Sequence, residues 1–112
     1  ACSRRILWDT FPVYEIRQTL GFQKWLGRLP DRTAKARLIR RIERLAHGHT
    51  GDTRHLGASL HELREHFGPG YRIYFTYQAG RLVLLLAGGD KNSQRADIAR
   101  ATALIERLET ER

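Results

Sequence analysis

The spacing of apolar residues changes several times along the 112-residue chain, and each change marks a predicted element. Alternation over residues 11–17 predicts a first strand. Apolar residues then recur at helical spacing in two segments. The first segment begins after Thr19 and ends at Pro30, and the second begins after Asp31 and stops at Gly48. We therefore expect one strand followed by two helices.

The middle of the chain returns to a period of two, which indicates strands joined by short turns. Residues 54–57 predict a short edge strand, SLHELREHF a second strand, and GPG at 68–70 a turn. YRIYFTY alternates, whereas RLVLLLA is apolar on both faces, as expected for a central strand. Helical spacing resumes at Ser93, with a buried stripe of Ile98, Ala101, Ile105 and Leu108. This order predicts an α+β fold: an antiparallel sheet meander with two N-terminal helices packed on one face and a C-terminal helix.

The domain organisation follows from composition. We interpret residues 1–10 as a flexible N-terminal extension and residues 11–112 as a single domain, with no internal repeat. Hydrophobic residues make up 41% of the chain, enough for a folded core. No apolar run reaches the roughly 18 residues of a membrane span. The sole cysteine, Cys2, has no internal partner, so we expect no disulfide framework and a cytoplasmic location.

Charge narrows the class of partner. Twenty Lys and Arg residues oppose twelve Asp and Glu residues, a formal net charge of +8. All but three of the twenty are arginines, whose planar donor fork suits phosphate and carboxylate. A nucleic acid or an acidic protein is therefore the expected partner. The simpler alternative is that the charge only keeps the protein in solution.

One cluster of predicted strand residues has the chemistry of a phosphate site. Alternation places Arg64, Arg72 and Tyr74 together on the sheet face opposite the apolar core, and Lys91 follows the neighbouring strand. Such a group can bind a phosphate and stabilise the charge that builds on it. The alternative is a solvated sheet face on which Glu62 pairs with Arg72.

The segment LLLAGGDKNSQ, residues 84–94, ends the apolar strand with two glycines. Neither the P-loop spacing nor G-x-G-x-x-G is present. Gly88 and Gly89 permit close backbone approach, and the helix start that follows favours anions. The alternative is that the glycines form a bulge or simply end the strand.

Two other groups carry candidate chemistry. Arg37, Arg41 and Arg44 of the second helix are candidates for contacts with an RNA backbone, the alternative being a solvated helix face. The HGH sequence at 47–49 invites a metal interpretation, but no cysteine or carboxylate lies at ligand spacing, and H-E-x-x-H is absent. We therefore expect neither a metal nor another cofactor.

Several motifs together resemble a known family. These motifs are F-x-x-W-L in the first helix, E-L-R, Y-R-I-Y-F and G-G-D-K-x-x-Q-x-x-D-I, and the resemblance extends over residues 13–105. Together they resemble the RelE/ParE toxin superfamily, and more closely the HigB-like addiction-module killer proteins. The resemblance implies a type II toxin held inactive by an antitoxin, usually a helix-turn-helix protein. It also implies an endoribonuclease that cuts mRNA on the translating ribosome, or alternatively a ParE-like gyrase poison without nuclease activity.

Carried over position by position, the resemblance implies catalytic roles for Arg64, Arg72 and Lys91. Asp97 stands where some ribosome-dependent relatives carry a tyrosine. The candidate general bases are Asp90, Asp97, His61 and His66. Tyr74 on the same sheet face, with the arginines of the second helix, is assigned to RNA binding. A plain basic binding module remains a third alternative to the nuclease and the gyrase poison.

Overall fold

The computed structural model describes residues 13–111, so the predicted extension at residues 1–10 lies outside the described part of the chain. The elements in chain order are β1 Glu15–Gln18, α1 Leu20–Gly27, α2 Arg32–Ala46, β2 Thr53–Gly57, β3 Leu60–Glu65, β4 Tyr71–Gln78, β5 Leu82–Asp90, a 3₁₀ turn Lys91–Ser93, and α3 Gln94–Thr110. Every predicted element is present among the described residues, and β1 overlaps the predicted first strand over residues 15–17. None of the described helices is long and apolar enough to cross a membrane.

The sheet is mixed, so the prediction of a purely antiparallel meander was wrong at one strand. Strand order is β1-β5-β4-β3-β2, and β1 pairs with β5 in parallel, with Glu15 opposite Leu82. The other three pairs are antiparallel. Because β5 is an interior strand, both of its edges require hydrogen-bond partners. β4 occupies one edge and β1 the other, and the Thr19 hydroxyl extends this junction by donating to the Leu86 carbonyl at 2.8 Å.

Helices cover both faces of the sheet. The first core lies between the sheet and helices α1 and α2, where Phe22 and Leu38 pack with Ile73 and Phe75. The second core lies between the sheet and α3, and its buried members are Leu60, Tyr74, Leu86, Ala87, Ala101 and Ile105. The predicted stripe of α3 faces this core: Ala101 and Ile105 are buried, and Ile98 and Leu108 are partly buried against it. Consequently, polar residues on this face of the sheet are also shielded from water.

The helix boundaries follow the predicted capping residues. The Thr19 hydroxyl accepts a hydrogen bond from the Phe22 amide at 3.1 Å and begins α1. The Asp31 carboxylate accepts from the amides of Thr33 and Ala34 at 3.0 and 3.1 Å and begins α2. Gly48 has a φ of 87°, the left-handed conformation in which glycine ends a helix at no steric cost. The predicted helix starts after Thr19 and Asp31 and the predicted helix end at Gly48 are therefore confirmed.

Candidate functional site

The candidate site lies on the α3 side of the sheet, where side chains from three strands form two rows. Arg64 lies opposite Arg72, and Arg72 lies opposite Gly89. In the next row, Glu62 lies opposite Tyr74. Strand alternation turns these side chains away from the first core. The structure thus brings together the two arginines and the tyrosine that the sequence places on one face.

Glu62 is the centre of this polar group. It is fully buried, and its Oε1 lies 3.4 Å from Arg64 Nε while its Oε2 lies 4.0 Å from Arg72 Nε. Gln94 of α3 donates from Nε2 to Glu62 Oε2 at 2.7 Å. The Glu62–Arg72 pair is therefore formed, yet the face is not solvated, since Arg72 is only 4% exposed. A buried carboxylate without these cations would be strongly destabilising.

The polar group is incompletely satisfied by protein atoms. Within residues 13–111, Glu62 Oε1, the Nε atoms of both arginines and the Tyr74 hydroxyl are buried without a hydrogen-bond partner. Buried polar atoms normally find partners, and a catalytic or binding role is one explanation for those that do not. Burial first, and then the nearby Glu62 carboxylate, raise the pKa of the Tyr74 phenol. Tyr74 is itself fully buried, so the expectation that it contacts RNA at the surface does not fit the structure.

Gly88 and Gly89 are sites of close packing by side chains on opposite faces. A Cβ on Gly88 would lie 2.5 Å from Cδ2 of Trp25 and closer to other atoms of the indole. A Cβ on Gly89 would lie 2.6 Å from Ser93 Oγ and 2.8 Å from Asp97 Cγ, and closer still to Asp97 Oδ2. Close approach is therefore the reason for both glycines, and side chains of α1 and of the α3 start occupy the space.

Asp90 and Asp97 organise the start of α3. The Asp90 carboxylate accepts from the amides of Asn92 and Ser93 at 2.8 and 3.2 Å, which caps the 3₁₀ turn. Asp97 is buried, and its two oxygens accept from Ser93 Oγ and from Arg100 Nη2. Both candidate bases are thus engaged in positioning the helix on the sheet.

Lys91 lies at the open rim of the site. Gly70, in the turn before β4, has a φ of 80° and separates Lys91 from Arg72. A Cβ at this glycine would lie 3.4 Å from Lys91 Cβ and 3.6 Å from Arg72 Nη1. Lys91 is exposed and the Arg64 side chain is 22% exposed, whereas Arg72 lies behind them and donates to the Tyr71 carbonyl at 3.1 Å. An approaching anion would therefore meet Lys91 and Arg64 first.

The arginines of α2 are not part of this site. Helix α2 covers the opposite face of the sheet, where the Arg37 guanidinium lies 4.7 Å from the centre of the Phe67 ring. Arg41 donates to the Arg64 carbonyl at 2.8 Å and pairs with Glu65 at 2.9 Å. Arg44 is exposed. The structure therefore separates the predicted RNA-binding residues of α2 from Arg72 and Lys91.

The candidate histidine bases also lie away from the arginines. The His61 ring stacks on His55 and Phe75 with centroid distances of 4.7 and 5.4 Å, on the first-core side of the sheet. Burial, and then His55, lower the pKa of His61. His66 is exposed and hydrogen-bonds Asp52. In the described part of the chain, no three His, Cys, Asp or Glu side chains come together as a potential metal site.

Sequence reasoning missed three residues of this region. Glu62 appeared only as a surface partner of Arg72, because burial under α3 could not be read from strand alternation. Gln94 was not assigned, since its contact with Glu62 joins residues 32 apart. Arg54, exposed on β2, lies opposite Glu62 in the strand register. The location of Arg54 in the predicted edge strand, residues 54–57, was the sequence signal that could have placed it near this region.

Comparisons with known proteins identify the family. The family described as "Phage derived protein Gp49-like (DUF891)" matches residues 24–109. A protein of Haemophilus influenzae strain Rd, described as an uncharacterized protein, is 44% identical over 94 residues. That match covers 84% of this chain and 95% of the relative. The family match includes α2, all strands from β2 to β5 and nearly all of α3, and therefore every residue of the candidate site. The chain belongs to the Gp49-like family of phage-derived proteins.

Proposed function

We propose that this protein is the toxin of a type II toxin-antitoxin system, a HigB-like member of the RelE/ParE superfamily. Its activity is that of a metal-independent endoribonuclease that cuts mRNA on the translating ribosome and arrests growth. The observation that carries the proposal is the pair of arginines, Arg64 and Arg72, on one sheet face at the buried Glu62, with Lys91 beside Arg72 at the rim. Membership of the Gp49-like family and the net charge of +8 are consistent with it.

The proposed chemistry uses the RNA's own 2′-hydroxyl. Its oxygen attacks the adjacent phosphorus and loses a proton, while the 5′-oxygen of the next nucleotide leaves and gains one. The phosphate carries additional negative charge in the transition state, so fixed cations in a shielded site lower the barrier. Lys91 and Arg64 contact the phosphate, and Arg72 behind them adds charge and orients Arg64 through Glu62.

The proposed partners follow from this function. The substrate is mRNA held on the ribosome, and the protein acts in the cytoplasm. A cognate antitoxin, a small helix-turn-helix protein encoded next to the toxin, binds the domain and suppresses toxicity. Co-expression of that neighbour is expected to restore growth.

The test is induction of Lys91→Ala and Arg64→Ala variants in bacteria, with growth and primer extension on cellular mRNA as readouts. Each substitution should reduce cutting by about 100-fold or more, the usual cost of removing one fixed donor to a transition-state anion. Lys24→Ala and Arg40→Ala are matched controls, since both residues are exposed and lie on the other side of the sheet. Both controls should cut like the wild-type protein.

The alternatives give different results. A DNA-damage response with intact mRNA would favour a gyrase poison. Normal growth after overproduction of the folded wild-type protein would favour a plain basic binding module. Full toxicity of the well-expressed Lys91→Ala and Arg64→Ala proteins would refute the proposed site.

A further inference from the structure

We infer that Glu62 is a positioning residue: its buried carboxylate holds Arg64 and Arg72 in the arrangement that an RNA phosphate requires. This inference rests on the proposed function and assigns a role within the same site. It predicts opposite effects of Glu62 on two measurable quantities, the affinity for RNA and the rate of cleavage. Glu62 should weaken the binding of RNA while increasing the rate of cleavage.

The geometry supports a carboxylate that is shared between the two arginines. Oε1 approaches Arg64 and Oε2 approaches Arg72, in both cases at the guanidinium Nε. Contact at Nε leaves both terminal nitrogens of Arg64 for other partners, and Nη2 of Arg72, since Arg72 Nη1 donates to the Tyr71 carbonyl. Gln94 fixes the carboxylate by donating to Oε2 at 2.7 Å. One buried anion thus sets the position of two cations on neighbouring strands.

Holding the two guanidinium groups in place favours phosphate binding in the correct geometry, because the arginine side chain is flexible. A guanidinium that is free to sample many rotamers loses entropy when it binds a phosphate. Arg64 and Arg72 lie directly opposite one another and carry the same charge, which disfavours their approach. Glu62, one row away, offsets this repulsion and permits both guanidinium groups to remain on one face.

The same charge lowers the attraction for RNA. Arg64, Arg72 and Lys91 contribute three positive charges, and Glu62 cancels one of them. Replacement of Glu62 by glutamine preserves the shape and removes the negative charge, so the site becomes more attractive to a polyanion. The arginines then lose their anchor and are misplaced for catalysis. A residue with a purely structural role would instead lower affinity and rate together as the site unfolds.

The experiment compares Glu62→Gln with the wild-type protein in two assays. The first measures the affinity for a 2′-O-methyl RNA oligonucleotide, which has no free 2′-hydroxyl and cannot be cut by this chemistry. The second measures single-turnover cleavage of mRNA on programmed ribosomes. We expect binding to tighten by about threefold or more as the site gains net charge. We expect cleavage to slow by about 10- to 100-fold, as for a catalytic group displaced by ~1 Å.

Two further variants control for folding and for net charge. Glu65→Gln makes the same charge change on the same strand, but Glu65 pairs with Arg41 outside the site. It should leave both measurements near the wild-type values. Gln94→Ala removes only the hydrogen bond to Oε2 and should shift both measurements in the directions of Glu62→Gln, by smaller factors. It provides the test if Glu62→Gln does not fold.

Each outcome has a defined meaning. Tighter binding with slower cleavage supports the inference, whereas unchanged values, or parallel losses in a folded protein, overturn it. The proposed function itself fails if the wild-type protein binds the oligonucleotide through Lys91 but does not cleave mRNA. In that case, tighter binding by Glu62→Gln still supports Glu62 as the residue that limits anion affinity. A wild-type protein that binds no oligonucleotide overturns both proposals.

Discussion

Replacement of Gly89 by alanine is the sharpest test of how β5 and α3 fit together. The added methyl group would lie 2.6 Å from Ser93 Oγ and 2.8 Å from Asp97 Cγ, within the range that requires atoms to move. Pairing with Arg72 of β4 holds the β5 backbone at Gly89, so the Asp97 side chain must be displaced. Its displacement breaks the hydrogen bond from Ser93.

The magnitude follows from these two effects. Overpacking of a well-packed site costs about 1–3 kcal/mol. Loss of a hydrogen bond to a charged group adds about 1.5–3 kcal/mol, partly offset by the gain of about 0.5–1 kcal/mol from replacing a strand glycine. The expected loss in the free energy of unfolding is therefore about 1.5–5.5 kcal/mol, a large fraction of the 5–15 kcal/mol typical of a domain.

Urea unfolding followed by circular dichroism measures this loss, with two controls. Gly27→Ala should be neutral or slightly stabilising, because among residues 13–111 no atom beyond its own helix turn lies within 4 Å of the position its Cβ would take. Asp97→Ala removes the group that the new methyl would strike. The Gly89→Ala/Asp97→Ala double variant should therefore lose about 1–2 kcal/mol less than the sum of the single variants. A Gly89→Ala protein within about 0.5 kcal/mol of wild type would refute the close-packing argument.

Two other predictions concern stability and its pH dependence. Thr19→Val should cost about 1–2 kcal/mol, because the hydroxyl both caps α1 and donates to the Leu86 carbonyl. Thr102→Val on the exposed face of α3 is the control, and equal urea midpoints for the two variants would contradict the prediction. The pKa of His61 is lowered in the folded state, so the unfolded chain binds the proton more tightly, and stability should fall as pH drops below about 6.5. His61→Gln should reduce the difference in unfolding free energy between pH 7.5 and pH 5.5, whereas an unchanged difference would exclude His61 as the titrating group.

The fold was largely predictable because its signals are local. Thr19 and Asp31 are short polar residues before apolar periodic segments, and each caps its helix directly. The partner of β1 was not predictable in this way. Strands β1 and β5 pair although they lie far apart in the sequence, as Thr19 and Leu86 at their junction are separated by 67 positions. No local sequence signal predicts a contact over that distance. The apolar character of β5 showed that the strand is central without showing which strand completes its edge.

The sheet arginines and the tyrosine of the candidate site were predictable, but their burial and their partners were not. Strand alternation placed Arg64, Arg72 and Tyr74 on one face, because the period of two is independent of tertiary packing. Burial depends on the docking of α3, which brings Gln94 onto Glu62 and Asp97 over Gly89. The sheet face that carries these residues is therefore shielded from water. Tyr74 becomes a core residue for this reason, and Glu62 becomes the centre of the polar group.

The two outer strands also determine how the sheet meets other molecules. β1 and β2 are short, and on the described residues neither has a strand partner on its outer side. Exposed edges of this kind favour association between sheets, which proteins oppose with charge, brevity and irregularity. β1 carries the exposed Arg17–Glu15 pair at 2.7 Å, and the pairing of β2 with β3 is irregular between His55 and Gly57. Both ends of the sheet are thus poor templates for a further strand, which protects a domain of this size from edge-to-edge aggregation.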